Sequence, residues 1–207
     1  MRIARDGLFY IAIPAIIAAI LFGIGYWALA LPFVIVSAFM IYFFRDPHRL
    51  PPSEPDIVVA PADGRVTRVV SLVSGAENSP TLISIFLSPL DVHINRSPIA
   101  GRVTDVSYTR GKFLMATNEQ ASLVNEQNAL TIEGDKVSVV CKQIAGILAR
   151  RIVCWKRKND QVTRGERIGL IKFSSRTDLV LPANVRVTVT EGMKVQGGTT
   201  IIGRIQP

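Results

Sequence analysis

The sequence predicts a mainly β protein with minor α content: a compact folded-sheet or barrel-like domain preceded by an N-terminal apolar helical hairpin. Three observations carry this. No charged residue occurs in the 37 positions from Leu8 to Phe44. Beyond residue 56, short apolar and alternating runs are punctuated by glycine and proline, the texture of strands and tight turns. Finally, two short motifs each occur twice, which predicts a pseudo-symmetric sheet built from a repeated turn-and-strand unit.

The chain divides by composition into a hairpin over 1–44, a proline-rich linker over 45–56 and a β-rich domain over 57–207. As one helix the charge-free run would extend roughly 55 Å at about 1.5 Å per residue, and the hydrocarbon layer is only about 30 Å thick. A hairpin turning near Gly23-Ile24-Gly25 uses this length better. Its first arm is then short and contains Pro14; a tilted crossing, a partial dip and an interfacial helix all fit that arm. A signal peptide is excluded because its apolar core is about 7–15 residues and ends in a small-residue cleavage site. A buried hairpin in a soluble core is disfavoured because the remaining chain is too polar to cover it. Arg2 and Arg5 precede the run, and Arg45 and Arg49 follow it. The positive-inside rule therefore places both ends on the cytoplasmic face.

Past Phe44 there are 22 Lys and Arg against 15 Asp and Glu, which favours anionic partners. A tether makes lipid headgroups the better partner than nucleic acid, for which no motif is present. The densest basic patch runs from Arg150 to Lys158 around Trp155; a membrane surface and a solvated strand-and-turn explain it equally well. Cys141 and Cys154 are read as ordinary strand residues of a reduced compartment. With His48 and His93 they show no zinc spacing, so no structural metal is expected.

Four prolines within Asp46–Pro55 exclude a regular helix or a central strand from the linker. Beyond it, Val185, Val187 and Val189 alternate with Arg186, Thr188 and Thr190, the period of a half-buried strand. Leu82–Leu87 reads as a more buried strand, with Val137–Cys141 and Ile168–Phe173 as further strands. Pro61–Val69 and Pro98–Val106 share P-x-x-G-R-V-T-x-V, and Val162–Ile168 and Val195–Ile201 share V-x-x-G-x-x-I. The second pair resembles hairpin turns of lipoyl- and biotinyl-carrier folds but lacks the carrier lysine. The amide-rich stretch Tyr108–Asn128 interrupts the β texture; a functional loop, a short helix and a solvated excursion remain open for it.

Three places offer chemistry: Asp63 in Ala60-Pro61-Ala62-Asp63-Gly64, His93 in Ser88–Pro98, and Ser174-Ser175-Arg176 after a strand. An acid, an imidazole and a hydroxyl can form a nucleophile-activating relay, but spacing alone does not distinguish one from chance.

These stretches, with Phe44-Arg45-Asp46-Pro47, Phe86–His93 and Phe173–Asp178, occur in an order and spacing that resembles the phosphatidylserine decarboxylase family. The resemblance is to the short bacterial and archaeal type, over nearly the whole chain. It implies a self-cleaving precursor. Ser175 would attack the carbonyl of Ser174, and elimination would free a large chain 1–174. An N-terminal pyruvoyl group would remain on the small chain 175–207, with no metal and no pyridoxal phosphate. Asp63 and His93 would be orienter and base. The pyruvoyl ketone would form a Schiff base with the amine of phosphatidylserine and act as electron sink, giving phosphatidylethanolamine. Arg96 and Arg176 are candidates for holding the substrate's carboxylate or phosphate, and a homodimer is compatible with the reading.

Two positions depart from the family pattern. Ser174 stands where glycine is usual, and glycine reaches backbone conformations that serine resists. Arg96 stands where longer members carry a second histidine. The first departure motivates an alternative of another class: a processing-dead relative that binds anionic lipid without catalysis. A membrane-anchored adaptor built on the repeats is a third reading, weakened by the absence of long coiled-coil helices.

Overall fold

Turn residues cut the chain into short strands whose interior faces carry β-branched and leucine side chains. The computed structural model describes residues 2–73, 79–115, 118, 120–147, 151–173 and 175–206. They form two units, 1–48 and 49–207.

The first unit holds β1 (Arg2–Ile3), a 3-10 turn, α1 (Leu8–Gly23), α2 (Trp27–Phe43) and β2 (Arg45–Asp46). The predicted turn is present over 24–26, with Gly25 at φ 89°, a left-handed conformation that glycine adopts without strain. The first arm is nearly as long as the second. It has 16 residues against 17 in α2, and with its 3-10 turn it forms a 19-residue apolar helix, Arg5–Gly23, long enough to cross a membrane. Pro14 lies inside α1, where it removes one helical amide donor. Ser37 Oγ of α2 donates to the Ile11 carbonyl one turn earlier at 3.0 Å. At the open end, Arg2 pairs with Asp46 and Ile3 with Arg45 in antiparallel register. The two basic flanks of the hairpin therefore meet.

The second unit begins with an extended strap, 49–56, and then β3 (Ile57–Val59), β4 (Gly64–Ser71), β5 (Thr81–Leu87), β6 (Ile94–Arg96) and β7 (Gly101–Thr109). There follow α3 (Ala121–Val124), β8 (Gln127–Glu133), β9 (Ser138–Ile144), β10 (Arg151–Cys154), β11 (Gln161–Val162), β12 (Arg167–Lys172), β13 (Ser175–Leu181), β14 (Val185–Val187), β15 (Lys194–Val195) and β16 (Ile201–Ile205). Among its described residues the amide-rich stretch includes the end of β7, the short helix α3 and the start of β8. The alternating Val185–Thr190 segment is strand only through Val187.

Eight strands form one curled antiparallel sheet in the order β11-β7-β8-β9-β13-β5-β4-β15. Two three-stranded sheets, β10-β12-β6 and β14-β16-β3, complete the domain. The sequence repeats are the visible part of a duplication. Gly64-Arg65 pairs with Val195-Lys194, and Gly101-Arg102 with Val162-Gln161. Both repeat strands carry a bulge at the same place, at Thr67 and at Thr104. The second motif forms matching turns, with Gly165 at φ 78° and Gly198 at φ 79°; their amides donate to the Ser97 and Ala60 carbonyls, each at 2.8 Å. One half is the contiguous stretch β6–β12. The other is assembled from β3–β5 and β13–β16, so the strand carrying Ser175 lies at the junction of the halves.

Val66, Ile83, Ile85, Leu87, Leu130, Ile132, Val139, Leu179 and Leu181 fill the interior. Cys141 lies among them, and burial pushes its thiol up to about 12, which fits a packing role.

Candidate active site

The interior changes character along β13. Ser175, Thr177, Leu179 and Leu181 share one face by the two-residue period of a strand. Leu179 and Leu181 join the apolar core. At the Thr177 end a chain of buried amides replaces it. Asn95 Nδ2 donates to Thr177 Oγ1 at 2.8 Å, Gln143 Nε2 to Asn95 Oδ1 at 2.9 Å, and Asn128 Nδ2 to Gln143 Oε1 at 3.0 Å. Such a chain in a low-dielectric interior fixes each member's orientation.

Two crossings between sheets bring Ser175 and His93 to this polar end. One runs from β5 through Ser88–Val92 into β6; the other runs from β12 through Phe173 into β13. They lie side by side. Ser175 is paired with Leu87 at the end of β5; Leu170 is paired with Ile94, and the Ile171 amide donates to the His93 carbonyl at 3.3 Å. Phe173 makes its turn at φ 63°, uncommon for a bulky residue and costly unless the surroundings enforce it. β6 is antiparallel to β12, which leads through Phe173 toward β13. The Asn95–Thr177 bond joins β6 to β13, and His93 and Ser175 each lie two residues earlier.

His93 is 2% exposed and Ser175 fully buried. Ser175 Oγ has no hydrogen-bond partner among the described residues. A buried unsatisfied hydroxyl is costly and marks a group kept for another purpose. The imidazole is held by Nδ1, 3.0 Å from the Asp91 carbonyl oxygen. A carbonyl only accepts, so Nδ1 carries a proton, and in a neutral ring Nε2 is then the basic nitrogen. The Asp91 carbonyl is itself fixed by a turn. Pro89 presets the turn's φ, the Asp91 amide donates to the Ser88 carbonyl, and the Ser88 amide donates back to the Asp91 carboxylate at 2.8 Å.

Asp63 reaches the site differently from the expected triad. Its oxygens accept from Arg49 Nη2 at 2.7 Å and from the Gly197 amide at 2.8 Å, and the ring-orienting contact comes from Asp91. Burial pushes the Asp63 carboxyl above its ordinary value; Arg49 and the Gly197 amide pull against this, and the Asp91 charge adds to it. The loop that carries Asp63 abuts His93's strand, since the Arg96 amide donates to the Pro61 carbonyl at 2.8 Å.

The two arginines expected to bind substrate are both buried. Arg96 Nη1 donates to the Gly165 carbonyl at 3.0 Å. Arg176 points to the other face of β13, where Nε and Nη2 form a fork on Asp178 at 2.6 and 3.2 Å and Nη2 also donates to Ser84 Oγ at 2.6 Å. Asp178 accepts from Ser122 Oγ at 2.8 Å as well, which ties α3 to the strand after Ser175. With this fork the Arg176 charge is neutralised in the fold. Replacing Arg176 by leucine strands the buried Asp178 carboxylate. The expected cost is about 3–5 kcal/mol, read as a lowered urea midpoint in a Ser175→Ala background that keeps one chain. Ser174, Arg150 and Glu119, which the sequence reading also drew on, lie outside the described residues.

Sequence reasoning missed Arg49 as a partner of Asp63, and missed the Asn95–Gln143–Asn128 chain. A period-2 reading of Arg176-Thr177-Asp178 would have found the Arg176–Asp178 pair. No local signal marks Gln143 or Asn128.

Fold and site together define a β-domain that encloses a serine and a histidine, preceded by an apolar helix of the kind that associates with membranes. A sequence profile described as phosphatidylserine decarboxylase matches residues 36–203. The phosphatidylserine decarboxylase proenzyme of Solibacter usitatus is 44% identical over 204 residues, spanning 99% of this chain and 97% of the relative. That of Geotalea uraniireducens is 43% identical over 203 residues, with 97% and 95% covered. That of Chlorobaculum parvum is 40% identical over 215 residues, with 99% and 100% covered. The chain belongs to the phosphatidylserine decarboxylase family. Loss of CO2 from the serine headgroup gives phosphatidylethanolamine, so the reaction is a lyase step of phospholipid biosynthesis.

Proposed function

We propose that this chain is a proenzyme that cuts itself between Ser174 and Ser175 and then decarboxylates phosphatidylserine at the new terminus. The observation that carries the reading is Ser175: a fully buried hydroxyl without a partner among the described residues, at the start of β13, beside the crossing that presents His93. A serine hydroxyl becomes a competent nucleophile when a base takes its proton. His93 Nε2 takes it, Ser175 Oγ bonds to the Ser174 carbonyl carbon, and the peptide C–N bond breaks to give an ester. Removal of the Ser175 α-proton expels residues 1–174 as a carboxylate. Water then replaces the nitrogen, which leaves as ammonia, and a pyruvoyl group heads the second chain.

The residues around Ser175 fit such a group, because the amide chain through Asn95 and Thr177 lines a polar, enclosed end of an otherwise apolar interior. The pyruvoyl group supplies a ketone that condenses with the substrate amine and accepts the electron pair left by CO2. His93 delivers the proton that replaces the carboxylate. Asp63 supports the charged imidazole from beyond Asp91. Arg176 is neutralised by Asp178, and Arg96, the other arginine considered for the headgroup, is buried after Asn95 on β6 with Nη1 donating to the Gly165 carbonyl. The pairing of Arg2 with Asp46 supports placing both basic flanks on the cytoplasmic side of the inner membrane, with the β domain following on that side. The test is release of labelled CO2 from carboxyl-labelled phosphatidylserine vesicles by purified protein, with no release by an uncleaved preparation.

Ser174 in the family's glycine position favours one second reading, a relative that binds anionic lipid but processes poorly. The two readings divide on Ser174→Gly. Glycine reaches backbone conformations that serine resists, so Ser174→Gly is expected to speed self-cleavage roughly tenfold, followed as the fraction of cut chain on a gel. A wild-type chain that never cuts, with Ser174→Gly restoring both cleavage and CO2 release, selects the second reading.

A further inference from the structure

We propose that Arg49, at the start of the proline strap, is a positioning residue of the self-cleavage site: it clamps the Asp63 carboxylate against the Gly197 amide and supplies its counter-charge. The inference rests on the role given to Asp63 above.

The strap is stitched onto the β domain along its length. Arg164 Nη2 donates to the Pro52 carbonyl at 2.8 Å, Arg204 pairs with Glu54 at 2.8 Å, and Lys136 pairs with Asp56 at 2.7 Å. The last two pairs are about half exposed and hold weakly. The Arg49–Asp63 pair differs: its side chains are only 12% and 15% exposed, with Nη2 and Oδ2 2.7 Å apart. The second carboxylate oxygen accepts from Gly197, next to the left-handed Gly198 turn. Asp63 is thus gripped from two sides by segments far apart in sequence, and Arg49 provides the charged grip.

The groups that face Asp63 show what this grip does. Arg49 is the cation and Asp91 the second anion. Asp91 is also the residue whose carbonyl orients His93. Without Arg49, a largely buried carboxyl faces another carboxylate with only one amide to stabilise its charge. Such a group takes up a proton, and the negative charge that supports the imidazole is lost. The acid limb of self-cleavage then moves to higher pH.

Full-length chains made by cell-free synthesis into lipid nanodiscs, and jumped to a series of pH values, give the processing rate against pH. In Arg49→Gln, which keeps a donor but not the charge, the acid limb is expected to rise by roughly 1–3 pH units. Within the shifted range, processing falls about tenfold per unit. Arg49→Lys, which restores the charge without the fork, returns the limb close to wild type. A merely structural role lowers the rate equally at all pH values and leaves the limb in place; that result overturns the proposal. If Arg49→Gln stops processing altogether, Arg49→Ala with added guanidinium decides: recovery supports the proposal and no recovery overturns it. The control is Asp63→Asn. A normal rate there removes the assignment of Asp63 itself, whereas a slow Asp63→Asn beside an unshifted Arg49→Gln removes only the role of Arg49.

Discussion

Ser175→Ala yields a single uncut polypeptide of 207 residues that releases no CO2 above background. One oxygen serves two ends in this account. It is the nucleophile that opens the peptide bond, and its loss by elimination creates the carbon skeleton of the pyruvoyl group. Alanine removes both roles at once, so no partial activity is expected from the rest of the site. The substitution is also mild for the fold. Ser175 is fully buried and its hydroxyl lacks a partner among the described residues, so deletion removes an unsatisfied polar atom and leaves a methyl group in its place. The uncut variant should unfold at a urea concentration no lower than wild-type precursor. Gel mobility, CO2 release and the urea midpoint together separate a chemical loss from a folding loss.

His93 has the second-largest expected effect. His93→Ala slows self-cleavage by roughly 10²–10⁴-fold, the usual contribution of a positioned general base. The loss is graded because the hydroxyl remains and water can take its proton slowly. His93→Gln is the sharper variant. Glutamine can still place an amide near the Asp91 carbonyl that holds Nδ1 at 3.0 Å, yet it cannot accept and carry a proton. If glutamine is as slow as alanine, proton transfer is the role of His93. If glutamine processes at the wild-type rate, the residue only fills space and the mechanism fails. The rate of appearance of the short chain after synthesis provides the measurement.

The hairpin was legible because its signal is local. A charge-free run between basic flanks needs no tertiary information, and Gly25 marks its turn. Pro14 lies inside the first arm without ending it, because the apolar run continues to Gly23. The repeats were also legible, since the same Gly-Arg-Val-Thr start produces the same bulge in β4 and β7. What they concealed is the assembly, in which one half is made from both flanks of the other. That arrangement depends on strand pairings between residues such as Arg176 and Phe86, which leave no periodic trace.

Ser175 and His93 could be named from their motifs, but the end of the domain they share depends on two crossings between the same pair of sheets. Asn95, Thr177, Gln143 and Asn128 lie on four different strands and resemble ordinary polar residues along the chain. Arg176 shows the reverse error. Its place beside the reactive serine suggested an anion-binding role, while the strand period that turns Arg176 and Asp178 to one face makes it the partner of its own neighbour. Asp63 differs again: its partners are Arg49 and the Gly197 amide, while the ring of His93 is oriented by the Asp91 carbonyl, which no side-chain pattern reveals.

The central claim is that the chain makes its own catalytic terminus at Ser175. Intact-mass analysis of active, purified protein tests it most directly. The account predicts two chains divided between residues 174 and 175, the shorter of 33 residues (207 − 174). Its mass should be lower than that of the same peptide with N-terminal serine by one ammonia, and it should react with a carbonyl reagent. A preparation that decarboxylates phosphatidylserine while showing only the unmodified 207-residue mass would contradict it.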